Sequence, residues 1–286
     1  MHRALKRCTA LVFGSLLLAP SLTHAQAQAK AAAPLVEFEN MTWPEVKAAL
    51  AAGKTTALFY TGGTEQRGPQ NINGGHNYMA KATVRELAIR LGNAIAMPVL
   101  AYTPNNASAQ LPGTIGLTPE LLSAMLERMS EEAIKTGFKH VVLMGDHGGG
   151  QPNAYKSVAE KLEAKYAPQG VHVFYADSIY APRQAAFDEW LAKNGYPTGG
   201  HASLIDTSEL LYLCADVCVR KELVATALGD PVQAPGAARD PNAARVNNGI
   251  TGDARRSTAE LGKRMFELKM EFGVRQIQRL IPPTGK

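Results

Sequence analysis

The residues of this sequence that could do chemistry first gather in a glycine-rich stretch, Tyr60 to His76, which reads YTGGTEQRGPQNINGGH. It carries a carboxylate on Glu65, a guanidinium on Arg67 and an imidazole on His76. Carboxylate and imidazole side chains are the common ligands of a catalytic zinc ion. Loops this long without secondary structure are usually functional or disordered, so a plain surface loop is the alternative interpretation.

A second polar turn follows another apolar run. Residues 141–151 read VVLMGDHGGGQ, so Asp146 and His147 come directly after a hydrophobic strand pattern. In open α/β sheets, ligands bind where loops leave the carboxyl ends of the strands. Two strand ends that present glutamate and histidine therefore predict one shared site.

The elements around these turns alternate between strand and helix. Apolar, β-prone runs predict strands at 55–60, 94–102, 138–144 and 171–175. Capping residues and apolar periodicity predict helices at 42–52, 76–91, 118–134, 153–166, 183–194, about 206–219 and 257–280. Alternation of this kind favours a mostly parallel sheet with helices on both faces. Residues 231–246 show no period and are predicted to form a loop.

The N-terminal region is typical of an exported protein. Residues 1–25 combine a basic start, a mostly apolar centre and the small-residue site Thr23-His24-Ala25, which predicts a signal peptide cleaved after Ala25. The apolar run is short for a membrane span, and a retained amphipathic anchor is the alternative. We therefore expect a periplasmic or secreted protein, with a flexible lead-in at 26–38 and a single α/β domain at 39–286.

Charge and cysteine content indicate which partners and which covalent cross-links to expect. The formal net charge is +5, but three of the basic residues lie in the predicted signal peptide, and nothing in the remainder forms a basic patch for nucleic acid. Cys214 and Cys218 are four residues apart in a helical pattern. That spacing predicts two buried thiols on one helix face. The alternative is a periplasmic disulfide, which would need a distorted helix.

Several segments resemble the creatininase (creatinine amidohydrolase) family in the same order along the chain. They are TEQRGP at 64–69, LPGTIGLTPE at 111–120, GFKHVVLMGDHGGG at 137–150, GHASLIDTS at 200–208 and GDARRSTAELG at 252–262. The resemblance implies a three-layer α/β/α sandwich. It also implies divalent metals, commonly zinc or manganese, that serve to hydrolyse C–N bonds of small molecules, and a homo-oligomer, which in creatininase itself is a hexamer.

The resemblance also assigns site residues. Glu65 matches the family's first carboxylate ligand, and His147 matches the histidine ligand of the glycine-rich turn. Asp206 stands where the family has a glutamate near the metals, and His201 matches a histidine beside the reacting group.

Two positions depart from the family pattern. Arg67 replaces the second histidine ligand, and His76 aligns with the bridging aspartate if no gap intervenes. A guanidinium stays protonated and cannot bind a metal, and an imidazole normally serves one ion. The sequence therefore predicts a single divalent ion per chain, zinc with manganese as the alternative, held by Glu65, His76 and His147. Asp206 is a further ligand or an acceptor that orients an imidazole, and the alternative for His76 is a loop-capping histidine.

The predicted function is hydrolysis of a small amide or cyclic amide by a metal-activated water. His201 would carry the proton to the leaving group. Arg67 would hold a substrate carboxylate or the oxyanion, or else pair with Asp146 or Asp206. The alternatives are a non-catalytic member that binds a small ligand, a lactone hydrolase, and a metal-free lyase that uses Arg67 and His76 directly.

Overall fold

The computed structural model describes residues 34–105, 110–145, 147–148, 151–232 and 245–282. The predicted signal peptide lies outside these residues, as do Asp146 and most of the predicted loop at 231–246. Val36 is buried and Glu37 forms an isolated parallel bridge with Ala96, so the packed part of the chain begins a few residues before position 39. Among the described residues, none of the helices combines the length and the hydropathy that a membrane span requires.

A four-stranded parallel sheet forms the middle layer. Its strands stand in the order β2-β1-β3-β4 and comprise β1 (Thr56–Thr61), β2 (Ala94–Ala96), β3 (His140–Gly145) and β4 (His172–Tyr175). Strands β1 and β3 are paired along their whole length, from Thr56 opposite His140 to Thr61 opposite Gly145. Their carboxyl ends therefore meet side by side, at the edge where the two polar turns leave the sheet.

Strand β2 is shorter than the sequence predicts. The prediction of 94–102 was wrong, because regular pairing with β1 stops after Ala96. Met97 still donates its backbone N–H to Leu58 at 3.0 Å, but Pro98 follows. Proline has no N–H to contribute to the ladder, and it therefore ends the strand.

Helices connect the strands and cover both faces of the sheet. They are α1 (Trp43–Ala51), α2 (Gly75–Leu91), α3 (Pro119–Thr136), α4 (Gln151–Tyr166), α5 (Ala181–Lys193), α6 (Leu204–Cys218), α7 (Lys221–Val224) and α8 (Ala259–Leu280). Short 3-10 turns occur at Phe38–Asn40 and Ala167–Gln169. At the start of α3 the hydroxyl of Thr118 accepts the N–H of Leu121 at 3.2 Å and so caps the helix.

The two faces of the sheet pack against different helices, because side chains alternate along each strand. Leu58 and Tyr60 lie in one apolar cluster with residues of α2 and α8. Ala57 and Phe59 lie in a second cluster with residues of α3 and α4. The predicted three-layer α/β/α sandwich is therefore confirmed.

Helices α6 and α8 pack with almost no space between their backbones. A Cβ at Gly262 of α8 would lie 1.9 Å from the carbonyl oxygen of Ser208 in α6, well inside any real contact. The absence of a side chain at Gly262 therefore sets the distance between the helix that carries Asp206 and its neighbour.

The cysteines of α6 form a disulfide, so the expectation of two buried thiols on a continuous helix was wrong. The backbone of Cys214 leaves the helical region, with φ −156° and ψ 39°, and this kink accompanies the bond between Cys214 and Cys218, whose Cα atoms lie 5.4 Å apart. A regular helix disfavours a disulfide between residues four apart, and the non-helical backbone at Cys214 supplies the distortion that this bond needs.

Candidate metal centre

The loop after β1 is fixed by a second loop that lies against it. The backbone N–H of Gln66 donates to the hydroxyl of Thr114 at 3.0 Å, and Thr64 forms an antiparallel bridge with Ile115. Glu65 donates its own N–H to the carbonyl of Asn73 at 3.0 Å. These bonds hold the glutamate in one position at the carboxyl edge of the sheet.

Glu65, His76 and His147 converge there on one point. The Nε2 atom of His76 lies 2.9 Å from Oε1 of Glu65, and Nε2 of His147 lies 2.9 Å from Oε2. One ligand atom from each residue falls within 4.8 Å of the others. Two imidazoles and a carboxylate at this spacing are the ligand types that a catalytic zinc ion uses, and they would hold one here.

Glu65 is ionised in this setting. Burial by itself would raise the pKa of its carboxyl, but hydrogen bonds from His147 and His76, together with their charge, hold the pKa far below its usual range. A buried carboxylate that stays charged is the form that binds a cation.

Arg67 lies behind this cluster and is completely buried. Its Nη1 is 3.3 Å from Oε1 of Glu65, and its Nη2 is 2.8 Å from Oδ2 of Asp206. The guanidinium thus joins two carboxylates. Gly75 makes room for it, because a Cβ there would lie 3.0 Å from Cδ and Nε of Arg67.

The structure places Asp206 beside Arg67 and not in the three-residue cluster. Its Oδ2 also accepts the backbone N–H of Ala202 at 2.8 Å. Burial raises the pKa of Asp206, but the neighbouring positive charge of Arg67, followed by those of His76 and His201, leaves the pKa below its usual value. Of the two roles that the sequence left open for Arg67, the pairing with Asp206 is the one for which a contact is observed.

His201 borders the same cluster from the loop before α6. Its Nε2 donates to the backbone carbonyl of Gln66 at 2.7 Å, which leaves Nδ1 as the basic nitrogen, 3.7 Å from Oε1 of Glu65. Burial lowers the pKa of His201, and Arg67 lowers it further, against the opposing effect of Glu65 and Asp206. The imidazole is therefore neutral near pH 7 and able to accept a proton.

A cavity of about 640 Å³, a volume typical of small-molecule sites, adjoins this cluster. Glu65, His76, His147, His201 and Asp206 line it directly. Arg67 is absent from the described residues on its wall.

The cavity wall also contains residues that the sequence analysis missed. Glu209 lies one turn after Asp206 on α6 and forms a buried ion pair with Lys269 of α8 at 2.5 Å. Arg183 contributes from the first turn of α5. The spacing of Asp206 and Glu209 on one helix face was a usable signal, whereas nothing in the sequence marks Arg183 as buried.

Comparison with known proteins points to one family. A family model described as creatininase, creatinine amidohydrolase, matches residues 39–277. A mycofactocin precursor peptide peptidase from Mycobacterium tuberculosis (strain CDC 1551 / Oshkosh) is 26% identical over 235 residues, covering 78% of this chain and 85% of that protein. A creatinine amidohydrolase from Pseudomonas putida is 24% identical over 267 residues, covering 86% of this chain and 97% of that protein.

Solved structures agree at the level of the fold. A crystal structure of creatinine amidohydrolase (creatininase) matches with a TM-score of 0.69 at 23% identity, covering 88% of this chain and 100% of the other. Further solved creatininases are described as a Zn-Zn type and as an Mn form.

Proposed function

The chain belongs to the creatininase (creatinine amidohydrolase) family, and from that premise we propose that it is a metal-dependent hydrolase that cleaves a C–N bond of a small amide or cyclic amide. The observation that carries the proposal is the convergence of Glu65, His76 and His147 at the wall of the cavity, with one ligand atom of each within 4.8 Å of the others. Relatives in the family act on creatinine and on a precursor peptide, as their names state.

Glu65, His76 and His147 would hold one divalent ion, zinc in preference to manganese. When bound, such an ion polarises a carbonyl and lowers the pKa of a bound water toward neutrality. The Nε2 atoms of both imidazoles already lie 2.9 Å from the two oxygens of Glu65, so the atoms that would bind the ion are close together without it.

Arg67 supports a single ion instead of two. Its guanidinium places a fixed positive charge between Glu65 and Asp206, which are carboxylates of the kind that a second ion would neutralise. Because the side chain is fully buried, it has no direct access to a substrate in the cavity. This burial disfavours the metal-free lyase in which Arg67 would act on the substrate.

His201 is the proton carrier of the proposal. Its Nε2 is committed to the carbonyl of Gln66, so Nδ1 accepts the proton of the attacking water and delivers it to the leaving nitrogen. The lowered pKa keeps this nitrogen unprotonated at neutral pH. Hydrolysis of a lactone would require the same groups. A family member that only binds a small ligand would use the same cavity but would catalyse no reaction.

Metal content tests the proposal. Protein purified without chelator should carry about one zinc per chain, and His147→Ala and Glu65→Gln should each lose both the metal and the turnover of small amides. His172→Ala is the matched control, since this histidine lies at the opposite end of the sheet, and it should keep the metal. A metal-free native protein, or full metal and full activity in both site variants, would place the chemistry elsewhere.

A further inference from the structure

Three cationic side chains are nine-tenths or more buried among the described residues: Arg67, Lys269 and Arg183, with exposures of 0%, 0% and 3%. Arg67 is paired with Glu65 and Asp206, and Lys269 is paired with Glu209. Arg183 is the exception, because no carboxylate of the described chain lies within ion-pair distance of it.

The partners of Arg183 are all neutral. Its Nε donates to the carbonyl of Ile179 at 3.1 Å, and its Nη1 donates to Oε1 of Gln184 and to the sulfur of Met265, both at 3.2 Å. Its Nη2 donates to no atom in the described part of the chain. Arginine side chains are permanent cations in proteins, so Arg183 has a positive charge with no counter-charge beside it in the described part of the chain.

Arg183 also lines the cavity that holds the candidate metal centre. It is the third residue of the thirteen-residue helix α5, whose N-terminal end carries a partial positive charge. The other arginine of this cavity, Arg245, is 49% exposed on its side chain and pairs with Asp230 at 3.3 Å. The uncompensated positive charge of the cavity is therefore concentrated at Arg183.

A buried charge without a counter-charge is unfavourable, and a carboxylate that arrives with the substrate removes that penalty. We propose that Arg183 anchors a carboxylate of the substrate, so that the natural substrate is an amide that carries a carboxylate. This inference rests on the proposed hydrolase function and narrows its substrate class.

The orientation of the guanidinium suits such an anchor. Gln184 accepts from Nη1 of Arg183 and donates from its Nε2 to Oδ2 of Asp188 at 3.2 Å. Asp188 in turn accepts the N–H of Gly199 at 3.1 Å through its other oxygen. These hydrogen bonds fix the Nη1 side of the planar guanidinium fork. Nη2 is then available to donate to an oxygen of a substrate carboxylate.

The test compares two probes of equal size, N-acetylglycine and N-acetylglycinamide, which differ in the carboxylate. Calorimetric titration of the metal-loaded protein should show that the carboxylate binds about tenfold or more tightly than the amide, as expected for a charge-assisted hydrogen bond. Chelator-treated protein should retain this preference, because the anchor is Arg183 and not the metal.

Arg183→Gln should reduce the preference to within about threefold, and Arg183→Lys, which keeps the charge without the planar fork, should show an intermediate preference. Arg264→Gln is the matched control: this exposed arginine on α8 lies over the ring of Trp190, 4.1 Å from its centroid, and its loss should change nothing. Thermal unfolding confirms that each variant is folded.

The outcomes separate the two proposals. Equal binding of both probes by the native protein, a preference that disappears with the metal, or a preference that survives in folded Arg183→Gln would each overturn the carboxylate anchor. None of these results bears on whether the metal centre hydrolyses amides. If the native protein binds N-acetylglycine through Arg183 but hydrolyses no amide, the proposed carboxylate anchor stands and the proposed hydrolase function is wrong.

Discussion

A single guanidinium, that of Arg67, joins two carboxylates beside the candidate metal centre. The contact to Asp206 is 2.8 Å and the contact to Glu65 is 3.3 Å, and Arg67 and Glu65 are almost completely buried. Buried ion pairs of this kind contribute little beyond what apolar residues would contribute, but removing one partner leaves a charge stranded in a low-dielectric interior.

Arg67→Met should therefore lower the free energy of unfolding by about 3–5 kcal/mol, because Asp206 and Glu65 are left without their cation. Adding Asp206→Asn should recover part of that loss. Urea denaturation of the metal-free protein measures both variants. Arg90→Met serves as the control, since Arg90 pairs at the surface with Glu86 and Glu267, and it should cost no more than about 1 kcal/mol. Similar losses for Arg67 and Arg90 would contradict the interpretation.

For individual residues, the sequence could predict the features that follow from the order of strands and turns along the chain. Glu65 and His147 follow apolar strand patterns, and the carboxyl ends of neighbouring parallel strands must meet. Arg183 and the Glu209–Lys269 pair could not be predicted in this way. Their burial depends on how α5, α6 and α8 pack together, and a charged residue within a helix is usually on the solvated face.

At the scale of elements, the contact between α6 and α8 holds one wall of the cavity. Gly262 permits it, because a Cβ there would meet the backbone of Ser208, which cannot move away as a side chain can. The same helix offers a matched comparison at Gly273, where a Cβ would meet only the side-chain ends of Ile179 and Leu87, at 3.0 Å.

Gly262→Ala should destabilise the protein by about 1–3 kcal/mol through overpacking. Gly273→Ala should change stability little, because alanine's better helix propensity offsets a small adjustment of side chains. Thermal unfolding of the two variants side by side checks the prediction. Equal losses of stability at the two glycines would show that the close backbone approach does not make Gly262 less tolerant of a side chain than Gly273.

At the amino ends of β3 and β4, two histidines lie opposite each other in the parallel register. The rings of His140 and His172 are stacked with centroids 6.1 Å apart, and Glu163 lies 2.9 Å from Nδ1 of His172. Burial lowers the pKa of His140 from its usual 6.5, the charge of His172 lowers it further, and Glu163 opposes both.

Because the folded state binds this proton less readily than the unfolded state, His140 should reduce stability as the pH falls below about 6.5. His140→Gln should therefore lose less stability than the native protein between about pH 7.5 and pH 5.5. Urea denaturation at several pH values, on chelator-treated protein, measures the two slopes. Identical slopes would remove His140 as the cause.

Most elements were predictable, and the failures at β2 and within α6 have local physical causes. The pattern of β2 continues past Ala96 as an apolar run, but Pro98 removes the donor that pairing needs. The break at Cys214 depends on a bond to Cys218, and spacing alone favours an intact helix over that bond.

At the scale of the whole molecule, export and assembly stay predictions from the sequence. The chain should mature by cleavage after Ala25, so the native protein should begin at Gln26 within a few residues. Mass spectrometry of the intact protein from its own cells measures this directly. Retention of Met1 to Ala25 would contradict export by this route. A homo-oligomer is expected from the family resemblance, and sedimentation at micromolar concentration tests it.

The burial of Arg67 also bears on how the protein responds to metal supply. An ion is taken from the surroundings and can be lost to them, whereas a guanidinium is part of the chain and is present from synthesis onward. Glu65 and Asp206 therefore keep a counter-charge through any period of scarcity. Under the proposed function, the fold should therefore not depend on the ion. Protein from metal-starved cells should be folded and inactive, and should recover activity when one ion per chain is added.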